Sequence, residues 1–115
     1  MANTFKVVTK AGVTSSDTIY TVAGSKTTII LGLVIGNTTG SQVTTTVTLN
    51  STTGNRAGAN DENNQACEIV TNAPIPAGSS LSLLDGKMVM ETGNTLLVVG
   101  SGAVDVILSI MEQDV

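Results

Sequence analysis

The sequence predicts an all-β fold: an antiparallel β-sandwich of jelly-roll type with eight to nine short strands. Three observations carry this. Thr, Val, Ser, Asn and Gly dominate the composition; Thr and Val favour pleated, half-buried surfaces, and Gly and Asn favour tight turns. Apolar residues recur with period two, in segments separated by turn signals every eight to twelve residues, which is the sandwich pattern. No segment of useful length shows the helical period. With 115 residues, the expectation is one domain over residues 1–115, built on one core.

The first strand reads from Thr4 to Lys10, with Phe5, Val7 and Thr9 alternating against Lys6, Val8 and Lys10. Residues 11–17 read as a turn containing Gly12. A short second strand runs over Thr18–Val22 and holds Tyr20, the one tyrosine. After Ala23-Gly24-Ser25 comes the longest near-continuous apolar run, in a strand from Lys26 to Gly36. Ile29, Leu31, Leu33 and Ile35 share one parity; Ile30, Gly32, Val34 and Gly36 share the other. Such a strand is usually covered on both faces, and the chain has no amphipathic helix to provide the second cover.

Asn37–Ser41 is a polar connection of hairpin length. Gln42–Asn50 alternates most cleanly, with Val43, Thr45, Val47 and Leu49 on one side and a wet threonine face on the other. Residues 51–64 form one long polar segment, read as an exposed and dispensable loop. Gln65–Asn72 returns to strand, with Cys67, the single cysteine, read as a small buried apolar residue. Pro74 and Pro76 mark a connection or a sheet edge. Leu81–Leu84 and Lys87–Glu91 read as strands joined in a hairpin by Asp85-Gly86. Thr95–Val99 is a short strand. The last runs from Ala103 to Glu112, with Val104, Val106, Leu108 and Ile110 opposite Asp105, Ile107, Ser109 and Met111. By parity, the expected core is Ile29, Leu31, Leu33, Val47, Leu49, Ile69, Leu81, Val98, Val106 and Leu108.

Composition also argues against several functions. The net charge is −4, and the five cationic residues are scattered; nucleic-acid binding needs them clustered. The chain has no histidine, so histidine-based catalysis and ligation are excluded. Serine lacks a base partner and a Gly-x-Ser-x-Gly elbow. Asn60-Asp61-Glu62-Asn63-Asn64 lacks calcium-loop spacing. Asp85, Glu91, Asp105 and Glu112 fall on different segments and read as solvated surface rather than an acid–base pair. No catalytic, cofactor or metal residues are therefore assigned, and the protein is read as no enzyme. The apolar run is too short for a membrane helix of about 20 residues, and the first residues do not read as a signal peptide, so no membrane association is expected.

What remains is surplus apolar surface. Ile30, Val34, Ile107 and Met111 each lie opposite a face assigned to the core, so they are the candidate interface residues. Burying one such side chain is worth roughly 1.5–3 kcal/mol, enough in combination to sustain an oligomer.

Several segments carry a family resemblance: Met1-Ala2-Asn3-Thr4-Phe5-Lys6, Pro74-Ile75-Pro76-Ala77-Gly78-Ser79-Ser80-Leu81, Gly86-Lys87-Met88-Val89, Thr92-Gly93-Asn94-Thr95-Leu96 and the closing strand Val104–Glu112. In this order they resemble small virion structural proteins of tailed bacteriophages, in particular phages of marine cyanobacteria. The resemblance implies an architectural role in a virion assembled in the host cytoplasm. The leading expectation is a capsid decoration or cement subunit, homo-oligomeric and bound to the major capsid protein. A tail, neck, baseplate or fibre component is the alternative, with tail proteins as partners. A host-surface or carbohydrate-binding β-module is a third reading, set back by the scarcity of aromatic platforms: Phe5 and Tyr20 are the only two aromatics.

Overall fold

The computed structural model describes residues 3–51, 64–83 and 88–114, and among them there is no helix. Nine strands follow one another: β1 (Asn3–Val13), β2 (Asp17–Thr21), β3 (Lys26–Asn37), β4 (Val43–Ser51), β5 (Gln65–Ile75), β6 (Ser80–Leu83), β7 (Met88–Met90), β8 (Thr95–Gly100) and β9 (Val104–Asp114). They form two antiparallel sheets packed face to face. The front sheet has the order β1-β9-β3-β6, with β7 also on β3; the back sheet has the order β2-β8-β4-β5. Most successive strands therefore alternate between sheets, which is jelly-roll wiring.

Two connections differ from the sequence expectation. Asn37–Ser41 is not a hairpin but an arch, since β3 and β4 lie in different sheets. The Asn37 side chain braces it: Nδ2 donates to the carbonyls of Ser41 (2.7 Å) and Ile75 (2.9 Å), and Oδ1 accepts from the Thr39 N–H (2.8 Å). Likewise β6 and β7 do not pair with each other. Leu83 lies opposite Leu33 and Met88 opposite Ile30, so the two strands are successive parts of one interrupted strand along β3. The Asp85-Gly86 turn itself lies outside the described residues, as does most of the 51–64 loop.

The core between the sheets holds Ile30, Leu33, Ile35, Val47, Leu96, Val98, Val106, Leu108 and Ile110, all essentially inaccessible, together with Ile19, Ile75 and Met90. Of the expected core, Leu33, Val47, Val98, Val106 and Leu108 are buried. Leu49, Ile69 and Leu81 pack against the core only in part. Ile29 is half-buried, and Leu31 is 37% exposed.

The cause is a β-bulge. On β3, Ile30 pairs with Ile110 and Gly32 with Ser109, so Leu31 is an extra residue without a partner on β9. A bulge advances the phase of a strand by one residue. Thr28 and Ile30 point inward before it, and Leu33, Ile35 and Asn37 after it. Ile30 is therefore a core residue at 0% exposure, not a residue of the second face. A second bulge, between Lys10 and Val13 of β1, turns Val13 into the core. Gly12 takes positive φ there (70°), and its N–H donates to Asp105 Oδ1 at 3.0 Å.

On the edge strand β5, Pro74 lies opposite Thr44, at a place where no further strand needs its missing N–H. Cys67 is exposed rather than buried, because the start of β5 is paired on one side only and is exposed throughout residues 65–68.

Candidate functional site

The outward faces of the two sheets differ. The back sheet presents Thr44, Thr46 and Thr48 of β4, the wet face read from the sequence. The front sheet presents hydrocarbon. Among the described residues seven large apolar side chains are exposed. Six of them, Phe5 (71%), Val7 (63%), Leu31, Val34, Val89 and Ile107 (47%), lie on the outer front sheet, and only Val99 lies on the back sheet.

Strand register assembles the face in rows. Phe5 lies opposite Met111, Met111 opposite Ile29, and Ile29 opposite Val89, giving an apolar row across four strands. A second row runs Thr9, Ile107, Val34, Ser82. Between them sit Val7, Ser109 and the bulge pair Leu31-Gly32. A Cβ placed on Gly32 would meet nothing within 4 Å, so Gly32 and Ser109 form a shallow dent between larger side chains. Among the described outward residues of the sheet the only charge is Asp105, at one end. The lysines of β1 alternate to the other side: Lys6 Nζ lies 2.9 Å from Glu112, and Lys10 3.8 Å from Asp17.

Of the sequence-derived interface candidates, Val34, Ile107 and Met111 share this face, and Val34 is the direct partner of Ile107. Ile30 is on the other side of the sheet. The sequence reading missed Phe5, Val7, Leu31 and Val89. Phe5 and Val7 carried a usable signal, since they share a parity opposite Lys6 and Lys10.

The best-organised polar group lies between the sheets and performs a structural task. The Tyr20 hydroxyl donates to Glu112 Oε2 at 2.6 Å and is 2.7 Å from the Thr28 hydroxyl. A phenol has one proton, so Thr28 donates to Tyr20. Glu112 is buried, not solvated surface as its sequence context suggested. Its carboxyl is held below the ordinary range by the Tyr20 hydrogen bond first and by Lys6 second. Burial, then the bond to Glu112, pushes the Tyr20 phenol up to about 12. An ionised acceptor facing a firmly protonated donor has no proton to exchange near neutrality.

Glu112 and Asp105 are seven residues apart on β9, roughly 24 Å along an extended strand, so they do not form an acid–base pair. Among the described residues no group of three His, Cys, Asp or Glu side chains could hold a metal ion, and no pocket opens. The Asn60–Asn64 cluster lies outside the described residues. A scan against family models, a search of curated proteins and a search of solved structures each returned no match.

Proposed function

We propose that this chain is a non-enzymatic structural protein of a bacteriophage virion, a decoration or cement subunit of the capsid, with the outer face of its front sheet as a contact surface between virion subunits. The observation that carries the reading is the concentration of exposed apolar side chains on that face. Exposed apolar patches of this kind mark contact sites. The family resemblance of the sequence supplies the setting. The jelly roll is used by viral capsid domains among others, which is an architectural likeness and not a site. A decoration subunit needs no catalysis, and modest contacts repeated around a closed shell add up to firm attachment through avidity.

Immunogold labelling of intact particles with an antibody to this chain tests the reading. Label distributed over the head is the expected result. Label confined to the tail moves the protein to the tail, and particles without label overturn the virion assignment.

A further inference from the structure

We propose that the outer face of the front sheet is a self-association surface, occupied by the same face of a second copy in an isologous sheet-on-sheet dimer. This deepens the structural-subunit reading and rests on it for the use of the surface.

Area is the first argument. The six exposed side chains Phe5, Val7, Leu31, Val34, Val89 and Ile107 present on the order of 500 Å² of apolar surface, at the upper end of what a monomer leaves uncovered. A standard interface takes roughly 800 Å² from each partner, and in homodimers about 65% of it is apolar; the patch supplies that apolar share. The described residues extend 44 × 30 Å in their broad dimensions, so the face has room for the polar rim as well.

Charge is the second argument. The chain is acidic, at −4 overall, yet among the described strand residues of this face the one charge that two copies bring together is Asp105, at one end. Among the described residues at the centre of the face a partner recognised by charge finds nothing to read, and a second copy meets no like-charge penalty there.

Relief is the third. The dent at Gly32 and Ser109 lies between the row of Phe5, Met111, Ile29 and Val89 and the row holding Ile107 and Val34. The face thus carries both a depression and ridges, as an isologous contact requires of one surface. The bulge at Leu31 is what builds this relief, by placing Leu31 and Gly32 consecutively on the outer side.

The test is sedimentation equilibrium of the full chain, wild type against Gly32→Asp, Ile107→Asp and Thr46→Asp, with thermal unfolding of each to verify the fold. Gly32→Asp is well suited because its Cβ enters open space and leaves the core untouched. The wild type is expected to dimerise with Kd at or below about 10 µM. Each front-face variant should weaken association by about 100-fold or more, since it desolvates an unpaired charge. Thr46→Asp, on the back sheet, should dimerise like the wild type. A wild type still monomeric at about 100 µM, or a dimer that survives both front-face substitutions, overturns the proposal. Particle incorporation separates the two readings. A monomeric wild type whose front-face variants no longer join particles places another virion protein on this face, so self-association fails while the structural role stands. A dimer formed through this face by a chain absent from particles gives the reverse.

Discussion

Tyr20 of β2 and Glu112 of β9 tie the two sheets together through a 2.6 Å hydrogen bond, the phenol donating to a buried carboxylate. Lys6, from the neighbouring edge strand, neutralises the same carboxylate. The bond therefore connects β2 at the edge of the back sheet with the β1–β9 pair of the front sheet. Replacing Tyr20 by Phe removes the donor and leaves Glu112 with Lys6 alone. The expected cost is about 1.5–3 kcal/mol, the range for a hydrogen bond to a charged group, measured by urea unfolding at neutral pH.

The same pair sets a pH dependence. Glu112 is held low in the folded state, so its contribution is present above the ordinary carboxylate range and is lost as pH falls through its depressed pKa. Tyr20 is raised to about 12, so its contribution is present below its unfolded value and is lost as pH rises from about 10 to about 12. Tyr20→Phe should flatten both limbs of the stability profile. A variant with the wild-type profile would show that the pair does not couple to folding.

The β3 bulge separates two residues that look alike in the sequence. Ile30→Ala opens a cavity in the core and should cost about 2–5 kcal/mol. Val34→Ala, on the exposed side, should stay within about 0.5 kcal/mol of the wild-type monomer. Equal losses at the two positions in unfolding titrations would contradict the assigned phase.

Removing Leu31 should be tolerated. Ile30-Gly32-Leu33 then alternates regularly against β9, and every inward residue keeps its place. A loss below about 1.5 kcal/mol is expected, whereas removing Val34 sends Ile35 and Asn37 out of the core and should abolish cooperative unfolding. Calorimetry of the two deletions checks the contrast.

Asn37 closes the arch between β3 and β4. Asn37→Ala removes its four side-chain hydrogen bonds and strands the Ile75 carbonyl, which the buried amide had satisfied. The expected cost is roughly 2–4 kcal/mol, with Asn37→Asp failing to restore it because a carboxylate cannot donate to the two carbonyls.

The fold class was legible because most strands keep a clean period of two. β4 and β9 each declared their inward side: Val43, Thr45 and Val47 in one, Val104, Val106, Leu108 and Ile110 in the other. The phase of β3 was not legible. Ile29, Ile30, Leu31 and Leu33 offer hydrocarbon to both sides, so the strand alone cannot say where its extra residue sits; pairing with β9 decides it. Glu112 was legible in retrospect, since it continues the inward series of β9, and a lone tyrosine was available to satisfy it. The arch at Asn37 and the interrupted β6–β7 strand were not, because a turn signal marks a change of direction without saying in which sheet the next strand lies. The exposed apolar face was half legible: the outward side of Val34, Ile107 and Met111 follows from parity, but their union with Phe5, Val7 and Val89 depends on strand order.

The most direct measurement of the contact role is hydroxyl-radical footprinting, read by mass spectrometry, of dispersed against assembled protein. Phe5 and Met111 share the outer row of the front sheet, while Met90 is fully buried in the core. Phe5 and Met111 should lose reactivity on assembly while Met90 stays protected in both states. Undiminished labelling of Phe5 and Met111 in the assembled protein would contradict the assignment of this face as the working surface.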